Sequence, residues 1–143
     1  MSAEGQHLVG KVGLDAVRAN GLSPDYIGGM TMGADPVSYA IAHQSWSDGP
    51  PIDAFSVRKA AKEHGTGRRI EGGLPEGAKV VLVEDSMTSG GSAVRALEAL
   101  ISHPAEVLAV LTVVDREEGA QALFDERGLP LIVLFTAAEL LAD

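Results

Sequence analysis

The chain of 143 residues contains no cysteine, which excludes disulfides, thiolate metal ligands and cysteine nucleophiles and fits a reducing compartment. Cations are scarce: 11 Lys and Arg stand against 20 Asp and Glu, a formal charge of −9 and the opposite of a nucleic-acid-binding surface. No apolar run approaches the ~18 residues of a membrane span. The first residues, Met1 to Gln6, have neither the basic patch nor the apolar stretch of a secretory signal. These absences predict a cytoplasmic protein that meets neither nucleic acid nor membrane. What is present is 45% apolar and 22% charged residues, enough for a single domain over 1–143 with its own core.

The most informative stretch is Val80-Val81-Leu82-Val83-Glu84-Asp85-Ser86-Met87-Thr88-Ser89-Gly90-Gly91-Ser92. Four apolar residues predict a short buried strand that ends in two adjacent carboxylates. A turn of hydroxyl residues and glycines follows, and then a helical pattern opens at Ala93, Val94, Ala96, Leu97, Leu100 and Ile101. Backbone N–H groups in such a turn, at a helix N-terminus, form a nest for a phosphate. The paired carboxylates suit the hydroxyls of a sugar, or its metal. The segment thus reads as a phosphoribosyl site. A helix cap needs one residue such as Asp85 or Ser89, and does not account for the whole run. A Walker lysine is missing after the glycines, and there is no glycine pattern with an acidic residue about twenty positions on, as a dinucleotide fold would need.

An acidic protein that binds an anion must gather its cations locally. Arg58, Lys59, Lys62, Arg68 and Arg69 lie in one short window, with His64 among them and glycines at 65, 67, 72 and 73. A charge run is ordinarily a solvated helix face. This one follows the apolar segment Ile52 to Val57, so it predicts a pliable cationic loop able to close over a ligand and stabilise charge on a departing group. Asp115-Arg116 ends another apolar run; its arginine could fork onto a carboxylate or pair with Asp115, Glu117 or Glu118. Gly28 to Asp35 is a further glycine-rich turn, a weak diphosphate signal alone.

Along the chain the expected elements alternate. Helices are expected over Leu8–Val17, Pro36–His43, Ser92–His103, Glu118–Arg127 and Ala137–Leu141. Strands are expected over Asp25–Met30, Ile52–Val57, Val80–Glu84, Val107–Val114 and Leu131–Phe135, with Arg58–Gly73 as loop or loose helix. Continuous apolar strands separated by helices predict an α/β fold, a parallel sheet covered on both faces, with ligands at the strands' carboxyl ends.

With these residues together the chain resembles a type I phosphoribosyltransferase, and within that group the orotate phosphoribosyltransferases, most like the actinobacterial forms. Val80 to Ser92 resembles the phosphoribosyl-diphosphate motif; Arg58, Lys59, Lys62 and His64 resemble the catalytic loop; Val113 to Arg116 is similar to the orotate segment, and Gly28 to Pro36 to the diphosphate loop. The resemblance implies transfer of phosphoribosyl from phosphoribosyl diphosphate to orotate, with Lys59, His64 and Asp85 as catalytic residues. Phosphoribosyl diphosphate would meet Arg58, Lys59, Lys62, His64, Glu84, Asp85, Ser86, Met87, Thr88, Ser89, Gly90, Gly91 and Ser92. Orotate would meet Thr88 and Arg116. It implies Mg²⁺ held through ligand and water rather than by the protein directly, and a homodimer in which the cationic loop completes the neighbouring site. Members of the group carry a longer N-terminal hood that supplies a lysine over the base. Here the chain begins almost directly with the first helix, so the hood is expected to be largely absent. A binding module without turnover, and a transferase for another base, are the alternatives.

Overall fold

Apolar runs rich in Val, Ile and Leu become strands, and the segments between them become helices on either side. The computed structural model describes residues 1–61 and 69–142. Its elements are α1 (Ala3–Ala19), β1 (Tyr26–Met30), α2 (Ala34–Ser47), β2 (Asp53–Val57), β3 (Ile70–Glu71), β4 (Lys79–Met87), α3 (Gly91–Ile101), β5 (Glu106–Asp115), α4 (Ala120–Glu126), β6 (Leu131–Thr136) and α5 (Ala137–Leu141). The expected strands and helices are present, most with ends shifted by one to several residues; α1 begins five residues earlier than the apolar spacing alone predicts.

The six strands form one sheet in the order β3-β2-β1-β4-β5-β6. Five of them run parallel. The exception is β3, two residues that pair antiparallel with the end of β2 through Ser56↔Glu71 and Val57↔Ile70. A two-residue edge strand has no periodicity to read, so this stretch looks like loop in the sequence.

The continuous apolar run of β4 is explained by burial on both faces. Val80 and Leu82 join a core with Phe55, Phe124, Ala96 and Leu100, on the side of α3 and α4. Val81 and Val83 point the other way, into a core with Leu14, Val17, Val37 and Ile41 of α1 and α2. The alternation of a strand thus divides one run between two hydrophobic layers. Among the described residues no helix is long and apolar enough to cross a membrane.

The chain leaves β1 through α2 to reach β2 on one side, and leaves β4 through α3 to reach β5 on the other. The two crossovers start from neighbouring strands and diverge. A crevice opens between the carboxyl ends of β1 and β4, the switch point where such sheets take their ligands.

Candidate active site

At that crevice lies a cavity of about 200 Å³ lined by Met30, Thr31, Met32, Gly33, Ala34, Lys59, Val83, Glu84, Asp85, Ser86, Ser92 and Arg95. It draws on the ends of β1, β2 and β4 and on the start of α3. Residues separated by more than sixty positions in the sequence meet there because parallel strands deliver their ends to one edge.

The two carboxylates at the end of β4 diverge. Glu84 is buried, with 8% of its surface exposed, and takes a hydrogen bond from the backbone N–H of Ala93 in the first turn of α3. Asp85 is exposed and accepts the N–H of Ser86 on Oδ1 at 2.8 Å. The turn after β1 closes down on it: a Cβ on Gly33 would stand 2.7 Å from Asp85 Oδ1. Only glycine allows this approach without displacing the carboxylate.

The turn between β4 and α3 is held by Gly90, whose φ of +88° favours glycine. A Cβ there would also strike Leu123 and Phe124 of α4 at 2.8 and 3.0 Å. The N-cap of α3 is Gly90, which has no side chain to cap with, and the Asp85 carboxylate is bonded to the Ser86 N–H. The amides of the turn and of Gly91 and Ser92 gather at the N-terminus of α3, where Glu84 takes the next one, that of Ala93. Thr88 is half-buried, Ser89 and Gly91 exposed, Ser92 half-buried. Met87 is fully buried in the core beside α3 and α4.

The sequence-derived cations divide. Lys59 is exposed and lines the cavity. Arg58 is turned aside: its Nη1 stands 3.6 Å from Glu71 Oε1, and its backbone N–H is bound to the Arg69 carbonyl at 2.7 Å, where β3 meets β2. Lys62, His64 and Arg68 lie outside the described residues. Arg116 stands beside the end of β4, its N–H donated to the Met87 carbonyl at 2.8 Å. Its exposed Nε is 3.3 Å from Glu118 Oε1, one of the surface partners foreseen from the sequence.

The sequence reading missed Arg95. It lines the cavity and donates from Nη2 to Ser92 Oγ at 2.9 Å. The available signal was spacing: three residues beyond Ser92 on a helix, it leans back over the N-terminal turn.

Burial pushes the Glu84 carboxyl up from 4.5 to about 7; the Asp85 charge adds to the rise, while Arg95 and the Ala93 N–H oppose it. Below about pH 4.5 this group is protonated in folded and unfolded chain alike, so its contribution to stability is fully present. Between 4.5 and about 7 the unfolded chain releases the proton first, and the contribution is lost as pH rises. Glu84→Gln stays neutral throughout. In urea or thermal denaturation of ligand-free protein, the Gln variant should gain on wild type between about pH 5 and about pH 8. Parallel curves would show that Glu84 titrates normally.

Comparison with known proteins agrees with this geometry. The phosphoribosyl transferase domain family matches residues 14–127. The orotate phosphoribosyltransferase of Aquifex aeolicus is 46% identical over 138 residues, 96% of this chain and 74% of its own. That of Bradyrhizobium diazoefficiens is 47% identical over 146 residues, 99% of this chain and 76% of its own. Among solved structures, Mycobacterium tuberculosis orotate phosphoribosyltransferase in complex with 5-phospho-α-D-ribosyl 1-diphosphate superposes with a TM-score of 0.80. It is 37% identical, and the match covers 94% of this chain and 75% of that one.

Proposed function

Since the chain belongs to the phosphoribosyltransferases, and among them to the orotate phosphoribosyltransferase family, we propose that it transfers the 5-phosphoribosyl group from phosphoribosyl diphosphate to orotate, a step of pyrimidine nucleotide synthesis. The observation that carries this reading is the junction of β4 and α3. It sets two carboxylates beside a glycine turn at a helix N-terminus, in a cavity at the switch point that Lys59 also lines.

In the reaction a ring nitrogen of orotate gives up its proton to water and forms a bond to the anomeric carbon as the bond from that carbon to the diphosphate oxygen breaks. Diphosphate departs with the bonding pair, and the product is orotidine 5′-phosphate. Positive charge grows on the ribose and negative charge on the leaving group, so catalysis is positioning plus electrostatics. Glu84 and Asp85 accept the ribose hydroxyls and steady the sugar. The amides of Thr88 to Ser92 hold the 5-phosphate. Lys59 meets the diphosphate, with Lys62 and His64 assigned to the same role. Arg116 leaves Glu118 to fork onto the carboxylate of orotate, next to Thr88.

The residues present fit a Mg²⁺ held through ligand oxygens and water. Glu84 and Asp85 point apart, and among the described residues no group of three or more His, Asp or Glu could cage an ion. Such an ion would neutralise diphosphate charge. A homodimer in the cytoplasm, with Lys62 and His64 of each cationic loop reaching the neighbouring site, completes the proposal.

The test is a spectrophotometric assay of orotate consumption with phosphoribosyl diphosphate and Mg²⁺. Loss of orotate absorbance that needs both substrates supports the reading; none at high enzyme concentration overturns it. Arg116→Lys refines it. Lysine keeps the charge without the planar two-point contact, so the KM for orotate should rise about tenfold while that for phosphoribosyl diphosphate stays put. If Arg116 serves only its exposed pair with Glu118, worth about 0–1 kcal/mol, neither KM will move.

A further inference from the structure

Binding of the 5-phosphate poses an electrostatic problem that the amides alone do not meet. A phosphate monoester carries about −1.5 to −2 charges at neutral pH, whereas a helix N-terminus offers only about half a positive charge. Two carboxylates stand in the same cavity, and the chain as a whole carries −9. Lys59 and Arg95 are the described cations lining the cavity. Lys59 comes from the end of β2, on the far side of β1 from β4, and so from the phosphate turn. Arg95 rises from α3 directly over that turn, its Nη1 3.7 Å from where a Cβ on Gly91 would stand.

The Arg95 contact with Ser92 has a direction. A guanidinium has donors only, so in the 2.9 Å bond the Ser92 oxygen must accept. The hydroxyl proton of Ser92 is not used in that bond and is left for another acceptor. Ser92 is thereby set as a donor, the role an anion requires.

We propose that Arg95 is a phosphate-recognition residue of this site: its guanidinium orients the Ser92 hydroxyl as a donor and supplies the positive charge that favours a phosphorylated sugar. The proposal rests on the phosphoribosyl reading above and adds a residue to it. A phosphate seated on the amides and bonded to Ser92 lies within one side-chain movement of Arg95. The guanidinium retains further N–H donors for it. Arginine does both jobs; lysine would supply charge without the fixed fork.

Ribose 5-phosphate tests this without orotate or turnover. Titration calorimetry on wild type, Arg95→Gln and Arg95→Lys should give about tenfold weaker binding for Gln, the loss of one charge-assisted contact, and an intermediate value for Lys. Ser92→Ala combined with Arg95→Gln should lose less than the two single losses together, because the residues act as a unit. The KM for orotate should not change. Arg95→Lys, conservative in charge and helix preference, keeps the test open should the Gln variant fold poorly. Binding by folded Arg95→Gln within twofold of wild type overturns the proposal, as does fully wild-type binding by Arg95→Lys beside an unfolded Gln variant. Wild type that fails to bind ribose 5-phosphate overturns both this and the phosphoribosyl reading. Arg95-dependent binding in a protein inactive on orotate supports this proposal and overturns the transferase reading alone.

Discussion

Asp85→Asn is expected to lower kcat about a hundred- to a thousandfold, the loss typical when one preorganised electrostatic contact to a transition state is removed. Stability should hardly change. The carboxylate is exposed, and its protein hydrogen bond accepts the Ser86 N–H; an asparagine oxygen can accept that bond equally. Asn also matches Asp in size, so the close approach of Gly33 survives. What disappears is negative charge beside the sugar, where positive charge grows as diphosphate leaves. Steady-state kinetics with thermal denaturation on the same preparation separates the two effects. A variant that turns over near the wild-type rate removes Asp85 from the mechanism; one that melts early would make it structural instead.

Much of this site could be read in the sequence because its parts are contiguous. Val80 to Ser92 holds strand, carboxylates, turn and helix start in thirteen positions, and the fold only bends that order into a crevice. Lys59 was legible for a related reason: it lies two residues beyond a buried strand, and parallel strands end at one edge. Arg95 was hidden. Its signal is a helical spacing from Ser92, indistinguishable from an ordinary surface arginine until α3 is set down against β4. Arg58 was read from its place in a cationic run, and in the fold it stands where β3 meets β2, its Nη1 beside Glu71. Two residues of antiparallel strand have too little pattern to announce themselves. Met87 sits inside the motif but its side chain packs into the core with Ala93, Ala96 and Phe124 of α3 and α4. Proximity in sequence marks a site, while tertiary packing decides which atoms face it.

Lys59→Ala probes the opposite side of the charge separation. The expected result is a fall of about a hundredfold in the chemical step, because an ammonium next to the departing diphosphate acts where negative charge develops. Lys59 is exposed, and surface substitutions of this kind usually change stability by about 0.5 kcal/mol or less, so the fold should be untouched. The measurement should be single-turnover, since product release can mask a change in chemistry when only kcat is followed. Lys59→Arg keeps the charge on a broader, more weakly hydrated group and should recover part of the rate. If the run from Arg58 to Arg69 were a solvated face that happens to border the cavity, both variants would keep wild-type kinetics, and the diphosphate would have to be assigned to other donors. A rise in KM for phosphoribosyl diphosphate with an unchanged single-turnover rate would mean something narrower. Lys59 would then bind the diphosphate equally in ground and transition states, which tightens the complex without accelerating the reaction. Only a loss in the step itself places the ammonium on the leaving group as its charge forms.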